Sequence, residues 1–345
     1  MANMNVRTPR FYVDNVSYLL SRGVAQNTNF DVRPDASNGA TTIGLQTGTE
    51  IECFDMNPLN KVDFNTSATA AGHVLINLDL KGNTKNNFVA ILNHNLSSAQ
   101  GKIRISASDT ESQVQSPDFS GATAISCTEV VNADTISTNI ITPGSDGSTI
   151  VTFTESDLQY WGIQFEGASS FSGTDLFFGC ILVGEYFDMP NAPDLNVTSS
   201  IMFDGVKTLE SAAGQRFSNM ANSGRTHGAT TKSPFTIGNP DYEGYGGRLA
   251  YDMSFSYLNA TSVFPNRYQS LVHTDDTVVS DVWNKTNGSH LPFIFSIDNA
   301  YVEDDGSQAN SESVHMFARF ANNSLDLQQV APDVWNVGFR VEEEF

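Results

Sequence analysis

The chain has 345 residues, enough for two domains that bury their own cores without disulfide or metal support. Its formal charge is −21, with 9 basic and 20 acidic residues over positions 1–190 and 9 and 19 over 191–345. That even spread leaves no basic stripe, which excludes nucleic-acid binding through phosphate neutralisation and opposes insertion into or contact with an anionic membrane.

Asn, Ser, Thr, Gly and Asp are abundant, Phe numbers 23, and long Ala/Glu/Lys/Leu stretches are missing. Small polar residues with aromatics fit sheets that have one solvated face, so the expected fold class is all-β. Cys53, Cys127 and Cys180 are scattered and odd in number, which argues against a disulfide framework and a Cys-x-x-Cys zinc site. Cys180, inside the apolar run LFFGCILVG, reads as a buried free thiol. The start, MANMNVRTPRFYVDN, has no apolar signal core, and no stretch reaches the roughly 18 apolar residues of a membrane span. The chain is therefore expected to be made and folded in a cytoplasm, and work elsewhere would require leaving as part of a particle.

In chain order, DNVSYLLSRG reads as a short helix capped by Asp14 and stopped by Gly23, or as an edge segment. Strand-like runs then follow at short intervals: EIECFDM, HVLINLDL, NNFVAILNHNL, GKIRISAS, STIVTFT, YWGIQFEG and TDLFFGCILVGEYF. Period-two alternation, as at Ile103 and Ile105 or Ile163 and Phe165, with Gly, Asn and Ser breaks, predicts a sandwich or barrel. FVAIL and FFGCILV are continuously apolar, as central strands covered on both faces are. FDMPNAPDLNVTSS, around 187–200, has two prolines and several turn formers and reads as a boundary.

Beyond it come SIMFDGV, RLAYDMSFSYL, LPFIFSID, VHMFARFA and VWNVGFRVEEEF. Alternation places Leu249, Tyr251, Met253, Phe255 and Tyr257 on one face of a strand, and Trp335, Val337, Phe339 and Val341 on one side of the last. DDTVVSDVWNKTNG is the helix expected in this half, capped by Asp275 or Asp276 and ended by Gly288.

Asn93-His94-Asn95 could bind a metal or relay a proton, but the same residues make a good strand-end turn because Asn tolerates the left-handed backbone. The other histidines, at 73, 227, 273, 290 and 315, show no HxH or HExxH spacing, so His94 is read as a loop-bonding residue. Arg225, His227 and Lys232 form a locally basic segment, read as a glycine-rich loop and not as a phosphate site. The acidic stretch 298–312 departs from helix–loop–helix calcium spacing and reads as a hairpin tip. No GxSxG, nucleophile–base pair or paired carboxylates stand out, so no catalytic, cofactor-binding or metal-binding residue is assigned.

Residues ~70–190 resemble discoidin-like jelly-roll sandwiches in the order NFVAILNHNL, GKIRISAS, TESDLQYWGIQFEG, LFFGCILVGEYFDMP. Wording of this kind, with SIMFDGVKTLESAAGQRFSN, SHLPFIFSIDN, VHMFARFANNS and LQQVAPDVWNVGFRVEEEF, is similar to virion proteins of marine tailed bacteriophages. The resemblance implies a discoidin-like jelly-roll β-sandwich within 1–190 and a second β-rich sandwich domain with a short helix over 191–345. It implies a non-enzymatic structural component of the virion, of the tail, tail tip or baseplate, assembled in the host cytoplasm. The expected partners are further copies of the chain and other virion proteins, with no cofactor. The alternatives are a carbohydrate-binding module that recognises a host-surface glycan, and a capsid decoration protein. Aromatic residues at 10% and loops such as FPNRYQSLV fit a homo-oligomer, with Arg267 and Arg319 set against neighbouring carboxylates.

Overall fold

The computed structural model describes residues 7–34, 44–67, 73–82, 84–167, 171, 173–203, 206–220, 234–235, 247–267, 276–299 and 314–344. The basic segment at 225–232, the acidic stretch from 300 to 312 and Asp275 lie outside these residues. Within them the chain is all-β, as its period-two pattern predicts, and two antiparallel sheets carry most of the strands. In the long sheet the order is Thr198–Met202, Arg248–Asn259, Val334–Glu343, His315–Phe320, Phe293–Ser296, Arg10–Asp14, Cys180–Asp188, Asn86–His94, Gly147–Ser156, Cys127–Val131. In the short sheet it is Thr135–Ser137, Ile140–Thr142, Gly101–Ser108, Tyr160–Gly167, His73–Asp79, Phe30–Pro34.

The two sheets stack over the first-half core. Val74, Ile76 and Leu78 of the short sheet alternate inward, as do Ile163 and Phe165, and they share a buried cluster with Val89, Ile91, Val151 and Ile181 of the long sheet. Fully burying each such side chain stabilises the fold by roughly 1.5–3 kcal/mol. The next residues along these strands, Asn77, Asp79 and Gly162, therefore turn outward from the sandwich.

A second core belongs mainly to the second half, where the rings of Phe11, Phe293, Phe295, Phe320 and Phe339 pack with centroids 4.7–5.9 Å apart. Much of the phenylalanine content is thereby taken up inside the protein. Strand Arg10–Asp14 forms the seam. It pairs with Cys180–Asp188 on one side and with Phe293–Ser296 on the other, so the long sheet runs unbroken between the halves. Arg10 fixes that seam with a two-pronged bond to Asp188, Nε to Oδ1 at 2.7 Å and Nη2 to Oδ2 at 3.0 Å.

Several local expectations hold. Asp14 caps helix Asn15–Ser21 by accepting from the Ser17 amide at 2.7 Å, and Gly23 ends the turn at φ 68°. Cys180 is buried and free. Val337, Phe339 and Val341 are buried along one side of the last strand, with Trp335 half-buried beside them.

Others are corrected. EIECF is a 3-10 helix, Glu50–Phe54, because Thr49 and Glu52 close a capping box at its start. The run LFFGCILV is two strands broken at Gly179, where a Cβ would lie 1.9 Å from the Pro58 carbonyl oxygen. Tyr257 leaves the inward face of its strand because the register shifts between Phe255 and Leu258. Its φ is 64°, its side chain is 77% exposed, and Leu258 is buried instead. The helix of the second half is a π-helix, Val278–Asn284, capped by Thr277, whose Oγ1 accepts from the Ser280 amide. Asp276, at φ 50°, sits outside it.

Candidate functional site

In the segment Asn93–Asn95 the side chains of His94 and Asn95 are held at both ends by protein groups, whereas Asn93 donates from Nδ2 to the Pro58 carbonyl at 2.7 Å and its buried Oδ1 is left unbonded among the described residues. Asn93 adopts φ 55°, the left-handed conformation that Asn tolerates, inside strand Asn86–His94, where the pairing with Gly147–Ser156 shifts register; the chain then turns over 96–100. The His94 ring is 1% exposed. Its Nδ1 accepts from the Leu96 amide at 3.2 Å, so Nε2 carries the hydrogen and donates to Thr149 Oγ1 at 2.9 Å. Asn95 uses both ends of its amide, accepting from the Phe177 amide at 2.8 Å and donating to the Asp175 carbonyl at 2.7 Å. Burial pushes the His94 imidazole down to about 4, so it is neutral near pH 7. Both ring nitrogens are engaged, so the residue is a structural pin, as its turn setting predicts.

The outward face of the short sheet is different. Cross-strand pairing sets Asp31, Asn77 and Gly162 in one row, and Asp79 opposite Tyr160 in the next row on the same face. Gly162 has no side chain there for a reason: a Cβ would lie 2.5 Å from the Phe119 ring and 3.2 Å from the Val114 carbonyl oxygen. Helix Glu111–Val114 and the turn after it thus press onto that strand and form one wall of a cleft. Asn27, Thr28 and Glu50 belong to its rim, with Glu111 and Gln115 also lining it, and its volume is about 460 Å³.

The electrostatics of this cleft are one-sided. Asp31, Glu50, Asp79 and Glu111 all line it, and among the described residues no lysine, arginine or histidine does. Burial raises the Asp79 carboxyl, but Lys81 Nζ at 2.8 Å and Gln159 Nε2 at 2.8 Å outweigh that and hold it below the usual range. Glu50 is pushed up, first by burial and then by the negative charge of Asp31.

Asn77 belongs to the lining, yet the residue is 6% exposed and neither its Oδ1 nor its Nδ2 has a hydrogen-bond partner among the described residues. Buried amides are ordinarily bonded, and a lone one costs about 1–3 kcal/mol. Asn77 thus leaves a donor and an acceptor unbonded beneath the lining of a polar cleft.

A third polar cluster lies beside the seam. Lys285 Nζ donates to Glu185 Oε2 at 2.5 Å and lies 3.1 Å from Asp281 Oδ1 as an ion pair without a hydrogen bond, all three side chains being buried. Burial pulls the Lys285 ammonium down, but Glu185 and Asp281 together hold it above its usual range, while burial pushes the Glu185 carboxyl up to about 7. Glu155, Glu185 and Asp276 bring carboxylate oxygens within 4.8 Å of one another. Lys85 bonds both Glu155, at 3.1 Å, and Asp276, at 3.2 Å, so lysine ammoniums supply the positive charge there.

None of the cleft residues stands out in the sequence. The available signal is Asn77 and Asp79 at the outward positions of HVLINLDL, and it gains meaning only once the pairing with Asp31, Gly162 and Tyr160 is known. Among the described residues no helix is long and apolar enough to cross a membrane.

No family model matches the chain, and no curated protein matches it. Among solved structures it is similar to a labelled mutant of chitosan-binding module 1 from a chitosanase/glucanase of Paenibacillus sp. IK-5, at 16% identity over 50% of this chain and 98% of that one, TM-score 0.31. It is also similar to CBM32-1 from a family 31 glycoside hydrolase of Clostridium perfringens, at 13% identity over 46% of this chain and 94% of that one, TM-score 0.29. A third likeness is to the CBM32-1 and CBM32-2 domains of Clostridium perfringens ZmpB, at 9% identity over 97% of this chain and 94% of that one, TM-score 0.28. All three scores lie below 0.5, and the all-β sandwich architecture stands on the strand pairing of this chain.

Proposed function

We propose that this chain is a non-enzymatic recognition protein that binds a saccharide in the cleft on the outward face of the short sheet. The observation that carries the reading is Asn77, a buried amide with both ends unbonded by protein at the lining of that cleft. Saccharides present neighbouring hydroxyls that donate and accept together, which matches an amide with carboxylates around it. Tyr160 adds a ring that can pack on the apolar face of a pyranose. The volume of about 460 Å³ falls within the roughly 300–1,000 Å³ of small-molecule sites. A glycan array probed with the full chain and with Asn77→Ala tests the reading. Binding that is lost in a folded variant supports it, and release of new reducing ends from a bound glycan would contradict the non-enzymatic part.

A second reading is assembly into a virion with further copies or other proteins, and a separate observation supports its contact-surface part alone. Leu195, Ile201, Phe203, Val206, Leu209 and Phe217 are exposed, and they fall within 23 consecutive positions that hold the outer strand Thr198–Met202 and the hairpin of Val206–Glu210 with Arg216–Met220. A two-stranded hairpin is marginal by itself in water, and clustered exposed apolar side chains are the ordinary mark of a contact surface. The readings are compatible, since a particle recognises its host through surface proteins. Mass spectrometry of purified particles tests the second, and absence of the chain from them would overturn it.

A further inference from the structure

We infer that Lys285 and Glu185 condense to an amide, a covalent tie between the residue that ends the π-helix of the second half and strand Cys180–Asp188 of the first. It is independent of the saccharide reading. Lys285 Nζ donates to Glu185 Oε2 at 2.5 Å, the two side chains are 4% and 5% exposed, and they come from positions 100 apart in the chain. An amine and a carboxyl group held in contact and out of water have the proximity that makes an intramolecular condensation fast. Burial also disfavours the hydrated ions that ordinarily keep a lysine and a glutamate from reacting.

Asp281 supplies the third group. Its Oδ2 is pinned by two donors, the Thr277 amide at 2.8 Å and the Ser280 hydroxyl at 2.6 Å. Its Oδ1 is buried, has no hydrogen-bond partner among the described residues, and faces Lys285 Nζ at 3.1 Å. The two carboxyl groups differ in character. Burial pushes Glu185 up to about 7, whereas at Asp281 burial is outweighed by Lys285, Ser280 and Thr277, which hold it below its usual range. That split gives Glu185 the protonated, electrophilic part and Asp281 the part of the base. The ammonium is held by the groups that can take its proton. Passing one to Glu185 leaves a neutral amine and a carboxylic acid. The nitrogen lone pair then forms a bond to the Glu185 carboxyl carbon, and Asp281 Oδ1 takes an N–H proton and returns it to the departing hydroxyl. The C–OH bond breaks, one water leaves, Asp281 is again a carboxylate, and no oxidant or co-reactant is consumed.

Mass spectrometry of the intact full chain under denaturing conditions tests this. The parent is expected to be one water lighter than its sequence requires, and digestion should yield a branched peptide that joins residue 185 to residue 285. Lys285→Met and Glu185→Met should each keep the full mass of their sequence. Asp281→Asn, shown to be folded by circular dichroism, should form the bond about a hundredfold more slowly, the lower end of general acid–base assistance. Lys285→Met loses stability whether an ion pair or a bond is removed, so mass is the deciding readout.

A folded parent that keeps its full sequence mass after prolonged incubation at neutral pH would overturn the inference and leave the three groups as an ion cluster. A missing water that maps to any other residues would overturn it too. Asp281→Asn forming the bond at the parent's rate would overturn the part given to Asp281. If the variants do not fold, the mass of the parent and the presence or absence of the branched peptide still decide.

Discussion

The turn at His94 and the cleft at Asn77 both place buried polar side chains on the first sandwich, and they have been finished in opposite ways. At the turn, the imidazole and the Asn95 amide find protein partners for every polar end. At the cleft, the Asn77 amide finds none. A closed polar group stabilises the fold and offers nothing to a ligand, while an open one weakens the fold and keeps its bonding capacity for something else. The histidine that attracts attention in the sequence is thus the one fully bonded by the protein, and the unremarked asparagine is the one left unbonded.

The contrast can be pressed hardest at the buried ion-pair cluster of Lys285. Lys285→Met leaves Glu185 and Asp281 buried without their cation, and chemical denaturation should record a loss of about 3–5 kcal/mol. A loss below about 1 kcal/mol would mean that the cluster is not closed in solution.

His94 supplies the next effect. Its folded value, about 4, lies below its ordinary value of 6.5, so the unfolded chain takes up the proton first as pH falls. The contribution of the neutral ring is therefore complete above pH 6.5 and is lost between 6.5 and 4, by on the order of 3 kcal/mol. Asp14, which burial pushes up to about 6, moves stability the other way over part of that window. The isolating measurement is the difference in unfolding free energy between the parent and His94→Asn as a function of pH. That difference should shrink as pH falls from 6.5 toward 4.

At the wall of the cleft, Gly162→Ala drives a methyl into the Phe119 ring and should cost about 1–3 kcal/mol by overpacking. It should also weaken ligand binding, because the helix Glu111–Val114 must shift to make room. Equal binding after that substitution would separate the wall from the site.

How much of this was legible follows from what is local. Alternation found the strands, and the Asn93 turn was readable because one residue type tolerates its backbone. The break at Gly179 was hidden because its cause, the Pro58 carbonyl, comes from 121 positions away in the chain. The bulge at Tyr257 was hidden because an unbroken alternation in sequence does not reveal a register shift. The seam strand Arg10–Asp14 draws its meaning from partners near 184 and 295, which no local pattern reports. The cleft is the extreme case. Its lining comes from residues near 30, 50, 78, 113 and 160, each an ordinary polar residue until the sheet sets them side by side.

The most direct measurement is Asn77→Leu, read for saccharide binding and for unfolding free energy on the same preparation. Removing an amide that no protein group bonds should leave stability unchanged or raise it by up to about 1 kcal/mol, while binding is lost. Asn95→Leu, the matched change at the closed turn, should cost about 1–3 kcal/mol and leave binding intact. If Asn77→Leu lowers stability as much as Asn95→Leu does, or if it still binds the saccharide, then Asn77 is not an open group and the account of the site is wrong.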